Sequence, residues 1–268
     1  MVRESSLLGA LTMLRRALVR PPSSNFADGL TTADLGIPDH DRALRQHAAY
    51  CEALESSGLA VTHLEEDPRY PDSTFVEDTA ILTRSRAILT RPGAASRAGE
   101  VSAIRPSLSV HYTQITSMSD SSTLDGGDVC EADCHFIIGV SHRTTEQGAH
   151  ELAALLAEEG HTSAFVDIRT IGGILHLKSG IAYVGDGRMV AIPPLAHHPA
   201  LQNYEVICVE PSEEYAANCV RVNDQLMVAA GYPTLEAALR RLGYDPISLE
   251  MSEFQKMDGG LSCLSLRF

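Results

Sequence analysis

The sequence predicts an α/β fold: a five-bladed, pseudo-symmetric propeller of ββαβ-type repeats around a common axis. Three observations carry this. A similar unit recurs five times, as "STFVEDTAIL", "DGGDVCEADCHFIIGV", "GGILHLKSGIAYVGDGRMVAIP", "AANCVRVNDQLMVAAG" and "GGLSCLSLRF". With Val76, Val129, Leu177, Val220 and Leu261 as markers, the period runs between 41 and 53 residues, the signature of a propeller or solenoid. The fifth unit lacks its second strand because the chain ends at Phe268, and the N-terminal "RRALVRPP" can supply it and close the ring.

The elements follow in order within each unit. The first four apolar strands run through short turns, at 84–86, 131–135, 185–188 and 223–224, into a second strand. Most of these turns hold the Gly, Asp and Asn that tight turns favour. Before each hairpin comes a helical stretch and a short strand. The helical stretches are "DRALRQHAAYCEALESSG", "SRAGEVSAIRPSL", "EQGAHELAALLAEEG", "HPALQNY" and "TLEAALRRLG". In the strongest, Ala and Leu recur at three- and four-residue spacing and a glycine closes the run. The strands after them are "LAVTHLE", "VHYTQI", "SAFVDI", "YEVICVE" and "YDPISLE". One domain over 13–268 is expected, preceded by a loosely attached, poorly ordered extension at 1–12.

Composition narrows the function. The 268 residues carry a formal net charge of -14, with 44% hydrophobic and 21% charged side chains. Nucleic acid and anionic membrane both need a basic surface and are poor partners for such a chain, whereas a small cation suits it. No apolar run approaches the ~20 residues of a membrane span. The six cysteines are scattered and do not form a disulfide framework, which fits a reducing, cytoplasmic setting.

If the five units are equivalent, the residues where their first strands begin converge on the axis. These are Glu77 and Asp78, Asp125 and Asp128, His176, Asn218 and Cys263. A thiol, an imidazole and acids at one focus have the makings of nucleophilic catalysis. A thiolate attacks, His serves the leaving group, and an acid orients the His. Cys263, His176 and Asp125 fit those roles, and Glu77 with Asp78 suit a planar guanidinium that carboxylates match bidentately. Alone, Cys263 reads more readily as an inert core thiol. The coincidence at equivalent points of the repeats gives it weight.

Together, "FVED", "RPGAASR", "LDGGDV", "SHRT", "LHLKSG", "YAANC", "DGGLSC" and the "GLT" at 29–31 resemble the dimethylarginine dimethylaminohydrolase family, over nearly the whole chain from about Met13. The resemblance implies a five-bladed α/β propeller that hydrolyses N-omega-methylated arginine to citrulline and an alkylamine with no metal or organic cofactor. It puts Cys263 at the nucleophile, His176 at the general acid/base and Asp125 at the supporting acid. Glu77 and Asp78 fall where the guanidinium is held, with Phe75 beside it. Asp72 falls near the substrate's polar end, Arg97 and Arg143 at the α-carboxylate, and Leu30 on a mobile lid. A homodimer is the expected assembly.

Three other readings compete. An arginine deiminase or amidinotransferase shares the Cys, His and acid logic. A non-catalytic binder of cationic amino acids would not need the intact Cys263, His176 and Asp125. A zinc site at Cys130, Cys134 and His135 has a spacing, Cys-x3-Cys-His in a hairpin turn, that standard zinc sites do not use.

Overall fold

A computed structural model describes residues 13–268. The expected extension at 1–12 lies outside the described residues. Each repeat forms its own three-stranded sheet. In four of them the inner strand pairs antiparallel with a middle strand, which pairs parallel with an outer one. The inner, middle and outer strands are β3 (Ala80–Leu82), β4 (Arg86–Leu89) and β5 (Gln114–Ser117); β6 (Val129–Ala132), β7 (His135–Val140) and β8 (Thr162–Asp167); β9 (Ile181–Gly185), β10 (Arg188–Ala191) and β11 (Glu205–Cys208); and β12 (Val220–Val222), β13 (Gln225–Ala229) and β14 (Ile247–Leu249). A tight turn suffices for the antiparallel step, while the parallel step needs a crossover.

The fifth sheet is assembled from both ends of the described chain. Strand β1 (Arg16–Val19) lies between β15 (Ser265–Arg267) and β2 (Ala60–His63), antiparallel to the first and parallel to the second. Leu18 pairs with Leu266, and both are buried. The "RRALVRPP" stretch therefore does close the ring. Three hairpin turns hold a non-glycine residue at positive φ, Asp133, Asp186 and Asn223, and Asp and Asn tolerate that region best.

The crossovers are α1 (His40–Ser56), α2 (Glu100–Ser109), α3 (Glu146–Ala157) and α4 (Pro233–Arg241), followed by the single turn α5 (Ser252–Gln255). Asp39 caps α1 by accepting from the Arg42 N–H at 2.7 Å, and Thr145 caps α3 by accepting from Gly148 at 3.1 Å. Each such cap contributes about 1 kcal/mol. The fourth repeat departs from expectation: "HPALQNY" gives only one 3-10 turn, Pro199–Leu201. Pro193, Pro194 and Pro199 remove three backbone donors from the short link between β10 and β11, too many for a regular helix.

A second departure places the site. The convergent residues do not stand on the inner strands. They occupy or flank the short 3-10 turns that lead into them: Val76–Thr79, Gly126–Asp128, Leu177–Ser179 and Ser262–Leu264, with Asp125 and His176 just before their turns and Asn218 just after the fourth, Pro211–Ala217. These turns pack on one another around the axis. Strand side chains alternate between faces. In the tight turn, neighbours such as Glu77 and Asp78 are both buried.

Candidate active site

The turn Ser262–Leu264 is held from two sides. Asn218 accepts the Ser262 N–H at 2.9 Å and donates to Ser262 Oγ at 3.0 Å and to the Lys178 carbonyl at 2.8 Å. The Ser262 hydroxyl donates to Glu77 Oε2 at 2.8 Å. Gly260 is required here, since a Cβ would stand 2.6 Å from Asn218 Cγ. Cys263, the next residue in this frame, is half-buried, and its Sγ accepts the Gly260 N–H at 3.4 Å. Burial, then the charges of Glu77 and Asp78, push the thiol up to about 12, against the opposing pull of the Gly260 N–H and Lys178. In the substrate-free protein Cys263 is thus a neutral thiol at pH 7.

His176 is buried and shares a 2.9 Å hydrogen bond between its Nε2 and Asp125 Oδ2. Burial is the strongest single influence and disfavours the imidazolium. Asp78, the hydrogen bond to Asp125 and the charge of Asp128 together outweigh it and raise His176 to about 9. At neutral pH it is an imidazolium that has a proton to give. Asp125 is fixed in turn by the Gly93 N–H, 2.8 Å from its Oδ1. Asp128 accepts from Ser141 Oγ at 2.6 Å and the Leu177 N–H at 2.9 Å, which ties the second turn to the one after His176.

Asp78 is buried beside these groups. Its Oδ1 accepts the Gly127 N–H at 2.8 Å and its Oδ2 accepts from Arg97 Nη1 at 2.5 Å. Burial opposes ionisation, but the charges of His176 and Arg97 overcome it and hold the carboxyl below its usual range. Gly127 must be glycine, because a Cβ would lie 2.7 Å from His176 Nδ1. The donor atoms of Asp78, Asp125 and His176 lie within 4.8 Å of one another, the one such group found among the described residues. Two arginines border it, Arg97 on Asp78 and Arg143 at 3.9 Å from Asp125 Oδ2.

The remaining predicted residues take varied positions. Asp72 is buried and accepts the Leu30 N–H at 3.0 and 3.2 Å. Leu30 is exposed. Phe75 is buried in an aromatic group with Phe26 and Phe254, at centroid separations of 5.9 and 6.3 Å. Arg97 is buried between Asp78 and Glu100, and Arg143, the more exposed of the two, lies against Asp125 of the same cluster. Sequence reasoning missed four contributors. Lys178 and Arg267 reach Glu77 Oε1 at 2.6 and 3.4 Å, Ser262 takes its other oxygen, and Glu100 pairs with Arg97. Glu100 stands three residues after Arg97 in sequence, a spacing that could have flagged it. The competing zinc reading finds no gathered ligands among the described residues: Cys130 is in the core beside Ile137 and Val166, whereas Cys134 is exposed.

The arginine deiminase family model matches residues 68–201. The N(G),N(G)-dimethylarginine dimethylaminohydrolase of Pseudomonas aeruginosa is 39% identical over 257 residues, 96% of this chain and 100% of that protein. The one from Streptomyces coelicolor is 33% identical, covering 94% of this chain and 96% of its own length. A solved structure of the Pseudomonas enzyme, a cysteine-to-serine mutant complexed with citrulline, superposes with a TM-score of 0.92 at 38% identity, over 96% of this chain and 100% of that one. The chain belongs to the dimethylarginine dimethylaminohydrolase family.

Proposed function

We propose that this protein hydrolyses N-omega-methylated arginine, asymmetric dimethylarginine and monomethylarginine, to citrulline and the corresponding methylamine. The carrying observation is the buried His176–Asp125 pair, 2.9 Å apart, gathered with Asp78 beside the turn that carries Cys263, with the thiol pushed up and the imidazole raised by these neighbours. That charge state suits a cationic substrate. The guanidinium docks on Asp78 beside Glu77, and its charge lowers the Cys263 pKa, so the thiol proton leaves to solvent as substrate enters. His176, already charged, cannot take that proton and keeps its own for the departing amine.

Cys263 Sγ attacks the central guanidinium carbon, and its electron pair forms the S–C bond. His176 protonates the alkyl-bearing nitrogen, whose C–N bond then breaks to release the amine. A covalent thiouronium remains on Cys263. Neutral His176 next accepts a proton from water, the hydroxide adds to the same carbon, and collapse expels the thiolate and citrulline. Asp125 keeps the imidazole oriented through both steps. Arg97 and Arg143 receive the substrate α-carboxylate, Asp72 serves its polar end, Phe75 borders the guanidinium, and Leu30 lies over the bound substrate. None of these steps calls on a metal or organic cofactor.

The arginine deiminase family match supports a second reading, release of ammonia from arginine itself. One assay decides between them: citrulline, ammonia and methylamine production from asymmetric dimethylarginine, monomethylarginine and arginine, with Cys263→Ser as control. The first reading expects alkylamine release that Cys263→Ser abolishes. Ammonia from arginine as the dominant product favours the second.

A further inference from the structure

We propose that Asp128 is a positioning residue: it holds the backbone on both sides of the His176–Asp125 pair and so keeps the imidazole on the departing amine. This rests on the reading that His176 protonates that amine. Asp128 and Thr144 are fully buried, and Ser141 is nearly so. Asp128 Oδ1 accepts the N–H of Leu177, the residue after His176, at 2.9 Å. The Asp128 N–H donates to the Asp125 carbonyl at 3.1 Å. Its Oδ2 accepts from the Ser141 hydroxyl at 2.6 Å. Ser141 Oγ in turn accepts the Thr144 N–H at 3.0 Å, and Thr144 Oγ1 accepts the Asp125 N–H at 3.1 Å. One acid therefore reaches the chain at His176 directly and the chain at Asp125 by two routes.

The direction of each bond follows from counting. Ser141 Oγ also accepts the Arg143 amide at 2.9 Å, so both its lone pairs are used and its proton goes to Asp128. Both Asp128 oxygens thus receive donors, which is a carboxylate's pattern. Burial pushes the Asp128 carboxyl up, against the charge of His176 and the hydrogen bonds from Ser141, Thr144 and the Leu177 N–H. An asparagine here would turn an N–H toward one of two buried donors and leave that donor unmet. The fold makes room for the acid. At Gly139, within β7, a Cβ would stand 3.0 Å from Asp128 Oδ1 and 2.9 Å from Leu177 Cβ. Glycine weakens a strand interior, and here it allows the close approach. The arrangement matters for rate because a displacement of about 1 Å in a catalytic group can cost about a hundredfold.

The test varies the leaving group. With asymmetric dimethylarginine the Cys263 S–C bond forms and the C–N bond breaks, and the amine departs only after taking a proton from His176. With S-methyl-L-thiocitrulline the same thiouronium forms, but methanethiolate leaves with the bonding pair and needs no proton. The full-length protein is quenched within the first turnover, and the adduct on Cys263 is followed by mass for both substrates. Asp128→Asn should slow adduct formation from dimethylarginine at least thirtyfold and from S-methyl-L-thiocitrulline less than threefold. Asp125→Asn should show the same asymmetry. Ser141→Ala should show it more weakly, at least fivefold against no more than twofold. Ser262→Ala, which disturbs the turn of the nucleophile, should slow both substrates alike.

Equal slowing on the two substrates in Asp128→Asn, or no slowing on either, overturns the proposal, because loss of substrate binding or of general structure would not sort substrates by leaving group. If Asp128→Asn fails to fold by circular dichroism, Ser141→Ala decides by the same ratio. An asymmetry in Asp125→Asn without one in Asp128→Asn refutes the positioning role and leaves the hydrolase standing. A wild type that forms no adduct from either substrate refutes both.

Discussion

Glu77 and Asp78 are neighbours on one 3-10 turn, both buried, and the sequence offers them as a matched pair for one guanidinium. The structure gives them different company. Asp78 faces the imidazole, Arg97 and the Gly127 amide, and its charge keeps His176 protonated. Glu77 faces Lys178, Arg267 and the Ser262 hydroxyl, so it joins the turn before β9 to the closing strand β15 and braces the nucleophile's turn. On the proposed reading one acid receives the cation, while the other mostly ties the ring together. Adjacent carboxylates in a motif need not share a task, because a tight turn can hand each to a different neighbour.

Breaking each acid in turn sharpens the comparison. Asp78→Asn removes the charge that receives substrate and that sustains His176, so kcat/KM should fall about a thousandfold, in line with losing a preorganised electrostatic contact. Steady-state assay with methylarginine checks this. Glu77→Gln should cost activity less, about tenfold, but stability more. It leaves the half-buried Lys178 and Arg267 facing a neutral amide, and breaking a fully buried ion pair costs about 3–5 kcal/mol, an upper bound here. Urea unfolding reads that loss. Glu77→Gln should also drop the Cys263 pKa below about 12, since Glu77 is the foremost charge raising it, as thiolate absorbance during a pH titration would show.

The imidazole supplies a pH test of the Asp78 side. His176 is raised in the folded protein from 6.5 to about 9. Its charged form therefore stabilises the fold fully below about pH 6.5, and that contribution is lost as pH rises through about 9. Thermal unfolding from pH 6 to 10 should show the decline in the wild type and a flatter curve in Asp78→Asn. No change between the two would mean that Asp78 does not sustain the imidazolium. A smaller effect belongs to the loop at 29–32, which the proposed function sets over the substrate. Asp258, at φ 56°, accepts from the Thr32 N–H and both threonine hydroxyls at 31 and 32. Asp258→Ala should raise KM severalfold with stability changed by only about 1 kcal/mol.

Much of this was legible beforehand, for particular reasons. The period of the repeats gave the five sheets, and the missing strand after β15 pointed to β1, because an unpaired edge at the end of a ring demands a partner. Cys263, His176 and Asp125 could be named because they fall at matching points of the repeats. The 3-10 turns could not, since three residues are too short to show a period. Nor could the partners of Glu77: Ser262 and Arg267 lie 185 and 190 residues away, and no local pattern links them. The missing fourth helix was readable in its prolines, and Glu100 in its spacing from Arg97.

The central claim is that Cys263 carries the reaction as a covalent intermediate. Wild-type enzyme mixed with asymmetric dimethylarginine, quenched in acid within the first turnover and digested, should yield the C-terminal peptide with Cys263 bearing the substrate's mass less dimethylamine. The adduct should form and decay at the rate of citrulline release. Citrulline produced at full rate with no adduct on Cys263 at any time, or with the adduct on another residue, would contradict the account.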